Sequence, residues 1–269
     1  MFRLLVFVAL ACAAFAQDER RITSPNGQIE FRLFIAVQES NNLPRIAYEV
    51  YYRGKPLLKT SFMGLDIEVQ EPLLGENVGL TSSSTAKSEK YNSLVGHYMQ
   101  NGSLGRLIDV EVRAYNDGVA FRYVIPRSTP LLDFVISEEV TEFRFNGKVP
   151  PAPVPWNELS SSDYLSELNN FPKSFVRMSE DDPASVAAFE IAATWIGIAE
   201  SKAGNYPPLR LIRADETTYL ARPFLKKPGL EANTPLDCPW RIVSIGTSFK
   251  DVVKSLVATD LAVKFTSGQ

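Results

Sequence analysis

From Ile29 the chain alternates: Ile29, Phe31, Leu33, Ile35 and Val37 fall on one face, with Glu30 and Arg32 between them. A period of two places apolar side chains on one side of a pleated strand. Ile46, Tyr48, Val50 and Tyr52 repeat the pattern, and Arg53-Gly54-Lys55-Pro56 follows with turn chemistry. Met63 to Val69 predicts a third alternating strand. The runs Leu107 to Tyr115 and Val119 to Ile125 flank Asn116-Asp117-Gly118, residues that tolerate positive φ, so a β-hairpin is expected there. Ala187 to Ile198, Leu209 to Ile212 and Arg241 to Ile245 are again apolar and strand-like.

Between these runs, Thr81 to Lys90 has no apolar side chain larger than Ala and predicts a solvated surface loop. Pro150, Pro151, Pro153 and Pro155 remove backbone donors and keep the stretch from Lys148 to about Ser162 irregular. Helical spacing is found near the end: Phe249, Val252, Val253, Leu256 and Val257 follow i, i+3, i+4, i+7, i+8, with Ser248 at the N-cap position. Many short strands, Gly/Pro/Asn turns and one terminal helix predict an all-β chain, a large two-sheet β-sandwich with a short C-terminal helix.

Composition adds boundaries rather than detail. The 269 residues are 45% hydrophobic and 22% charged, the balance of a globular domain. The formal charge is −3 and no Lys/Arg cluster stands out, so a nucleic-acid partner, which needs one, is not expected. Residues 1–16 read as a signal peptide: Arg3, an apolar run from Leu4 to Ala14, and Ala14-Phe15-Ala16 as the cleavage signal. The protein is thus expected to be exported. Lipid attachment at Cys12 is the weaker reading, because Ala9 stands where a lipoprotein box usually has Leu. Cleavage removes Arg3 and Cys12, moves the formal charge from −3 to −4, and leaves Cys238 as the one thiol, with no intrachain disulfide to form.

Catalytic signatures are few. His97 is the single histidine, which excludes two-histidine mechanisms and His-rich metal sites, and no G-x-S-x-G elbow accompanies it. His97 reads as a structural hydrogen-bonding residue. No P-loop or G-x-G-x-x-G occurs. Two carboxylates can hydrolyse a glycoside, but Glu138-Glu139 and Asp181-Asp182 are sequence neighbours that point to opposite faces of a strand, and are expected to be solvated.

The order of motifs is more informative. Ser24-Pro25-Asn26-Gly27 opens the first strand, Tyr51-Tyr52-Arg53-Gly54-Lys55-Pro56-Leu57-Leu58 precedes Met63-Gly64-Leu65, and His97-Tyr98 follows. Arg113 to Tyr123, RAYNDGVAFRY, is the strongest segment, and Ile198-Ala199-Glu200-Ser201, Tyr206-Pro207 and Pro239-Trp240-Arg241 come after it. In this order they resemble the N-terminal domain of glycoside hydrolase family 97, over residues 22–258. Gly96 and Met99 depart from the family, which has asparagines flanking His-Tyr.

The resemblance implies a galactose mutarotase-like super-sandwich and a periplasmic or outer-membrane-associated setting. It also implies a following (β/α)8 barrel that carries the catalytic carboxylates, so no catalytic residue is assigned here, and residues 259–269 read as the start of a linker toward that barrel. The implied function is a carbohydrate-binding accessory domain of an α-glucosidase or α-galactosidase type enzyme. A barrel encoded separately would be its partner, and α-glucosides or α-galactosides its ligands. A stand-alone mutarotase-like enzyme and a structural remnant remain as alternatives. Family enzymes hold calcium with several glutamates, one from this domain, and Glu200 matches that ligand. Trp156 and Tyr164 are the candidates for a sugar-stacking platform.

Overall fold

The computed structural model describes residues 17–38, 41–103, 105–149, 174–177, 186–201, 204–207, 209, 211–223 and 229–261. Residues 1–16, Trp156, Tyr164, the Asp181-Asp182 pair and residues 262–269 lie outside that set.

The fold is an all-β sandwich. One layer is a nine-stranded sheet in the order Ser174–Arg177, Val186–Ile191, Thr194–Glu200, Arg241–Gly246, Gly118–Ile125, Leu107–Tyr115, Tyr91–Gln100 and Val78–Lys87, with Leu236–Asp237 also paired to Gly118–Ile125. Facing it are three smaller sheets. Gln17–Thr23, Ile29–Val37, Pro44–Tyr52 and Lys55–Phe62 make the first. Leu230–Asn233, Asp133–Glu139, Leu65–Ile67 and Gln70–Leu74 make the second, and Thr141–Arg144, Thr218–Ala221 and Leu211–Arg213 the third.

The apolar faces anticipated by the alternation meet in the middle. Phe31 stacks on Tyr48 at 5.3 Å between ring centroids, and Phe121 from the nine-stranded sheet lies 4.8 Å from Tyr48. Phe143 approaches Phe121 at 6.2 Å, so three sheets share one aromatic cluster. The buried Tyr48 hydroxyl donates to the Glu142 carbonyl at 2.7 Å, which removes the cost of an unpaired polar atom in the core.

Four expectations are corrected. Val78–Lys87 is a strand paired with Tyr91–Gln100, so most of the predicted 81–90 loop is the edge of the large sheet. An edge strand is held by its backbone ladder to one neighbour, which needs no apolar side chains, so a run of small hydroxyl residues can form it at a solvated rim. The predicted third strand, Met63 to Val69, is shortened to Leu65–Ile67, with a turn at Glu68-Val69 before Gln70–Leu74. The predicted single helix is two short ones, Phe249–Val253 and Leu256–Asp260; Ser248 caps the first in a capping box with Asp251.

The last correction concerns the 107–125 hairpin. Neither Asn116 nor Asp117 adopts positive φ. Gly118 is required for space instead: a Cβ there would lie 2.5 Å from the Val243 carbonyl oxygen and 2.7 Å from Val257 Cγ1.

Candidate functional site

Glu200 and Arg241 sit directly opposite each other on adjacent antiparallel strands of the large sheet. Both point inward, and the Arg241 side chain is 1% exposed. Glu139 arrives from the facing layer at the end of Asp133–Glu139. Arg241 Nε donates to Glu139 Oε1 at 2.9 Å and Nη2 to Oε2 at 2.5 Å, while Nη1 pairs with Glu200 Oε2. One guanidinium thus clamps two carboxylates from opposite layers of the sandwich.

Every oxygen of the two carboxylates has at least one donor. Glu139 also accepts from Thr141 Oγ1 at 2.9 Å and from the Tyr206 hydroxyl at 3.0 Å. Because Thr141 gives its proton to Glu139, the Tyr123 hydroxyl 2.6 Å away donates to Thr141, and Tyr123 in turn accepts from Gly64 N at 2.9 Å. The Leu209 N–H closes the set on Glu200 Oε1 at 2.6 Å. Such hydrogen bonds beyond the ion pairs are what keep a buried ion cluster from being strongly unfavourable.

The electrostatics follow from burial. Burial raises the Glu200 carboxyl, opposed by the Arg241 charge and the Leu209 N–H. For Arg241 burial acts to lower the value, but Glu139 and then Glu200 hold it well above that of a free guanidinium. Burial likewise pushes the Tyr206 hydroxyl and the Cys238 thiol up, with Glu139 adding to both. Cys238 is therefore an inert, buried thiol.

Beside this clasp lies a cleft of about 500 Å³ between Ser201, Gly204, Asn205 and Tyr206 on one side and the strands Leu230–Asn233 and Leu236–Asp237 on the other. Tyr206, Cys238 and Trp240 line it together with Asn205, Glu231, Asn233 and Asp237. Ser201 is tied to Trp240: its N–H donates to the Trp240 carbonyl at 3.1 Å and its hydroxyl accepts the Trp240 N–H at 3.0 Å. Two guanidiniums lie over the Trp240 ring, Arg113 at 4.6 Å and Arg122 at 4.8 Å from its centroid. Arg122 is itself held by Glu111 at 2.7 Å and Asp237 at 3.0 Å.

Of the sequence candidates, the structure gathers only Glu200 into this site. Both its oxygens are already engaged, one of them by a cation, and among the described residues no group of three or more His, Cys, Asp or Glu side chains gathers to hold a metal ion. The described residues thus offer a hard cation, which takes six to eight oxygens, one carboxylate that Arg241 already shares. Trp156 and Tyr164 lie outside the described residues. His97 Nδ1 donates to Asp109 Oδ1 at 2.9 Å on the other face of the sheet, the structural pairing expected of it.

Sequence reasoning missed Glu139 and Arg241. Glu138 and Glu139 do point apart, but only Glu138, half-buried and paired with Arg222, has access to solvent; Glu139 is 0% exposed. Phe134 and Ile136 face inward, so simple alternation selects Glu138 as the inward residue. A register shift between Ile136 and Glu138 turns Glu139 inward instead. Arg241 shares parity with Val243 and Ile245, the available hint, but every residue of that strand is buried and alternation is blurred.

Residues 22–263 match the family model described as glycosyl-hydrolase 97 N-terminal. The chain is 24% identical over 96% of its length to a retaining alpha-galactosidase of Bacteroides thetaiotaomicron, covering 43% of that protein. It is 26% identical over 81% of its length to a probable retaining alpha-galactosidase of Streptomyces bingchenggensis, covering 34% of it. Among solved structures, a glycoside hydrolase family 97 enzyme in complex with acarbose, from Pseudoalteromonas sp. strain K8, superposes with a TM-score of 0.66. That match has 18% identity and covers 90% of this chain and 38% of the other, a likeness of fold. The chain spans about two fifths of the length of its first curated relative. With the family model covering most of the chain, the protein belongs to the glycosyl-hydrolase 97 N-terminal family.

Proposed function

We propose that this chain is a non-catalytic, carbohydrate-associated accessory domain of an exported family 97 glycosidase acting on α-glucosides or α-galactosides. The observation that carries the reading is the family match across residues 22–263, which spans the described sandwich. The geometry of the clasp supports it. Glycosidases need two carboxylates free to serve as acid and as base or nucleophile, about 5–9.5 Å apart. Glu139 and Glu200 are instead both held by Arg241, and Glu139 accepts from four donors. The signal-like residues 1–16 support export to the periplasm or outer membrane. The domain's partner in this reading is the family's catalytic barrel.

The test is hydrolysis of aryl α-galactosides and α-glucosides by the purified chain, expected at background. Turnover that disappears in Glu139→Gln would overturn the reading. Calcium held through Glu200 would have to compete with Arg241 and would draw its other oxygens from the barrel. Calorimetric titration of the chain is therefore expected to show affinity of about millimolar or weaker, the weak end of protein sites. Micromolar binding that Glu200→Gln abolishes would instead make Glu200 the centre of a complete site.

A further inference from the structure

We propose that Asn101-Gly102 is a self-modifying site, where the chain deamidates through a cyclic imide and so loosens the edge of the large sheet. Three Asn-Gly pairs occur in the sequence, at 26–27, 101–102 and 146–147. The reaction is the same at each. The glycine amide nitrogen gives its proton to solvent base and attacks the asparagine Cγ. A Cγ–N bond forms, the Cγ–Nδ2 bond breaks, and the amide nitrogen takes a proton from solvent and leaves as ammonia. Water then opens the imide at either carbonyl, leaving aspartate or isoaspartate. Glycine favours closure because it has no side chain to obstruct the ring. The nitrogen and Cγ must also meet as a near-attack pair, so the fold decides which asparagine reacts.

Asn26 is pinned. Its Oδ1 accepts from the Ser24 hydroxyl at 2.7 Å and from the Gln28 N–H at 3.0 Å, while the Gly27 N–H is given to the Ser24 carbonyl at 2.9 Å. Both reacting groups are thus held in a local turn. Asn146 is exposed, but Gly147 lies against Ile191, whose Cγ2 would be 2.5 Å from a Cβ at that position, so the peptide between them turns against a packed side chain. Asn101 and Gly102 are both exposed, with nothing within 4 Å of where a Gly102 Cβ would lie among the described residues. Among those residues the Gly102 N–H has no partner, and the Asn101 side chain makes one long bond, from Nδ2 to Asn77 Oδ1 at 3.4 Å.

The consequence falls on the edge strand. Asn77 and Asn101 close the open end of the pair Val78–Lys87 and Tyr91–Gln100. The Asn101 N–H donates to the Asn77 carbonyl at 2.7 Å and Asn77 Nδ2 to the Asn101 carbonyl at 3.3 Å. Deamidation exchanges the Nδ2 donor for a carboxylate oxygen, which sets an acceptor against the Asn77 Oδ1 acceptor. The isoaspartate product also inserts a carbon into the backbone beside Gln100, whose side chain ties down the Leu73 and Glu76 carbonyls at 2.8 Å.

The experiment ages the whole folded chain at mildly alkaline pH, follows each Asn-Gly peptide by mass, and counts isoaspartate with an isoaspartyl methyltransferase. Asn101 is expected to convert faster than Asn146, and faster than Asn26 by about 5- to 150-fold, the factor for two hydrogen bonds that must open first. In denaturant the rates are expected to converge. Ser24→Ala removes one bond from Asn26 Oδ1 and is expected to speed that site by about 2- to 12-fold, leaving Asn101 unchanged. In the aged chain, amide exchange over residues 78–80 is expected to rise by about 2- to 12-fold, the loss of one hydrogen bond. Asn26 or Asn146 reacting as fast as Asn101 in the folded chain, or the same spread of rates persisting in denaturant, would overturn the site. Unchanged exchange at residues 78–80 after conversion would overturn the loosening.

Discussion

The hairpins 107–125 and 186–200 belong to the same nine-stranded sheet, yet the first is tied down through its turn and the second through its far end. At the first turn, Asn116 Oδ1 accepts the Asn26 N–H at 2.9 Å and the Asp117 carbonyl accepts the Ile245 N–H at 2.8 Å. The Asp117 carboxylate takes the N–H groups of Leu256 and Val257, at 3.3 Å for the latter. It thereby caps the helix Leu256–Asp260, whose own Ser255 makes no side-chain cap. The second turn is Ala192-Ala193, with φ of 49° and 61° and no side-chain acceptor. Left-handed backbone costs a non-glycine residue roughly 1–2 kcal/mol, so the ladder imposes this turn. What fixes that hairpin is Glu200, at its other end, on Arg241. A turn bearing acceptors selects its own tertiary partner, while a bare turn takes the shape its strands dictate.

The comparison can be broken most forcefully at the clasp. Arg241→Met leaves Glu139 and Glu200 buried together without their cation, and is expected to lower the unfolding free energy by about 3–5 kcal/mol. Denaturant titration reads this directly, and a loss well below 1 kcal/mol would mean that the second hairpin is held elsewhere. Asp117→Ala should cost less, about 0.5–2 kcal/mol, the usual worth of a helix cap. Hydrogen exchange should show the effect concentrated in residues 256–260, and protection unchanged there would separate the turn from the helix. The double change Ala192→Asn, Ala193→Gly has the opposite sign. Asn-Gly suits a two-residue turn with positive φ at both positions, so stability should rise by about 1 kcal/mol.

The smallest expected effect is a pH dependence at the same helix. Asp260 accepts from Lys90 at 2.9 Å and from the Tyr115 hydroxyl at 2.8 Å, and the Lys90 hydrogen bond chiefly holds its carboxyl below the usual carboxylate range. A depressed carboxylate adds stability above its unfolded value of about 3.9 and loses it as pH falls through the folded one. The stability difference between the native chain and Asp260→Asn should therefore shrink as the solution is acidified below about pH 4. A difference that stays constant into strong acid would place the helix's attachment in its apolar contacts with Tyr115 and Trp240.

Much of this was legible in the residues themselves. Alternation at Ile29, Phe31, Leu33 and Ile35 named four residues at most 3% exposed, because a two-residue period admits one buried face. It failed at Val37, 56% exposed at the strand's end, where the partner layer no longer covers it. The hairpin at Asn116-Asp117 and the Ser248 cap are local hydrogen-bond chemistry and could be read locally. Of the candidate site, the sequence marked Glu200 alone.

What tertiary structure decided is which polar groups come together. Glu139 lies 61 positions from Glu200 and 102 from Arg241 in the chain, and the irregularity after Ile136 determines which of two adjacent glutamates turns inward. The edge strand Val78–Lys87 is likewise a product of its neighbour Tyr91–Gln100 rather than of its own polar residues. Local propensity and periodicity act over a few residues and are written in the sequence. The pairing of distant charges across two layers depends on register, and one extra residue in a strand reverses every side chain beyond it.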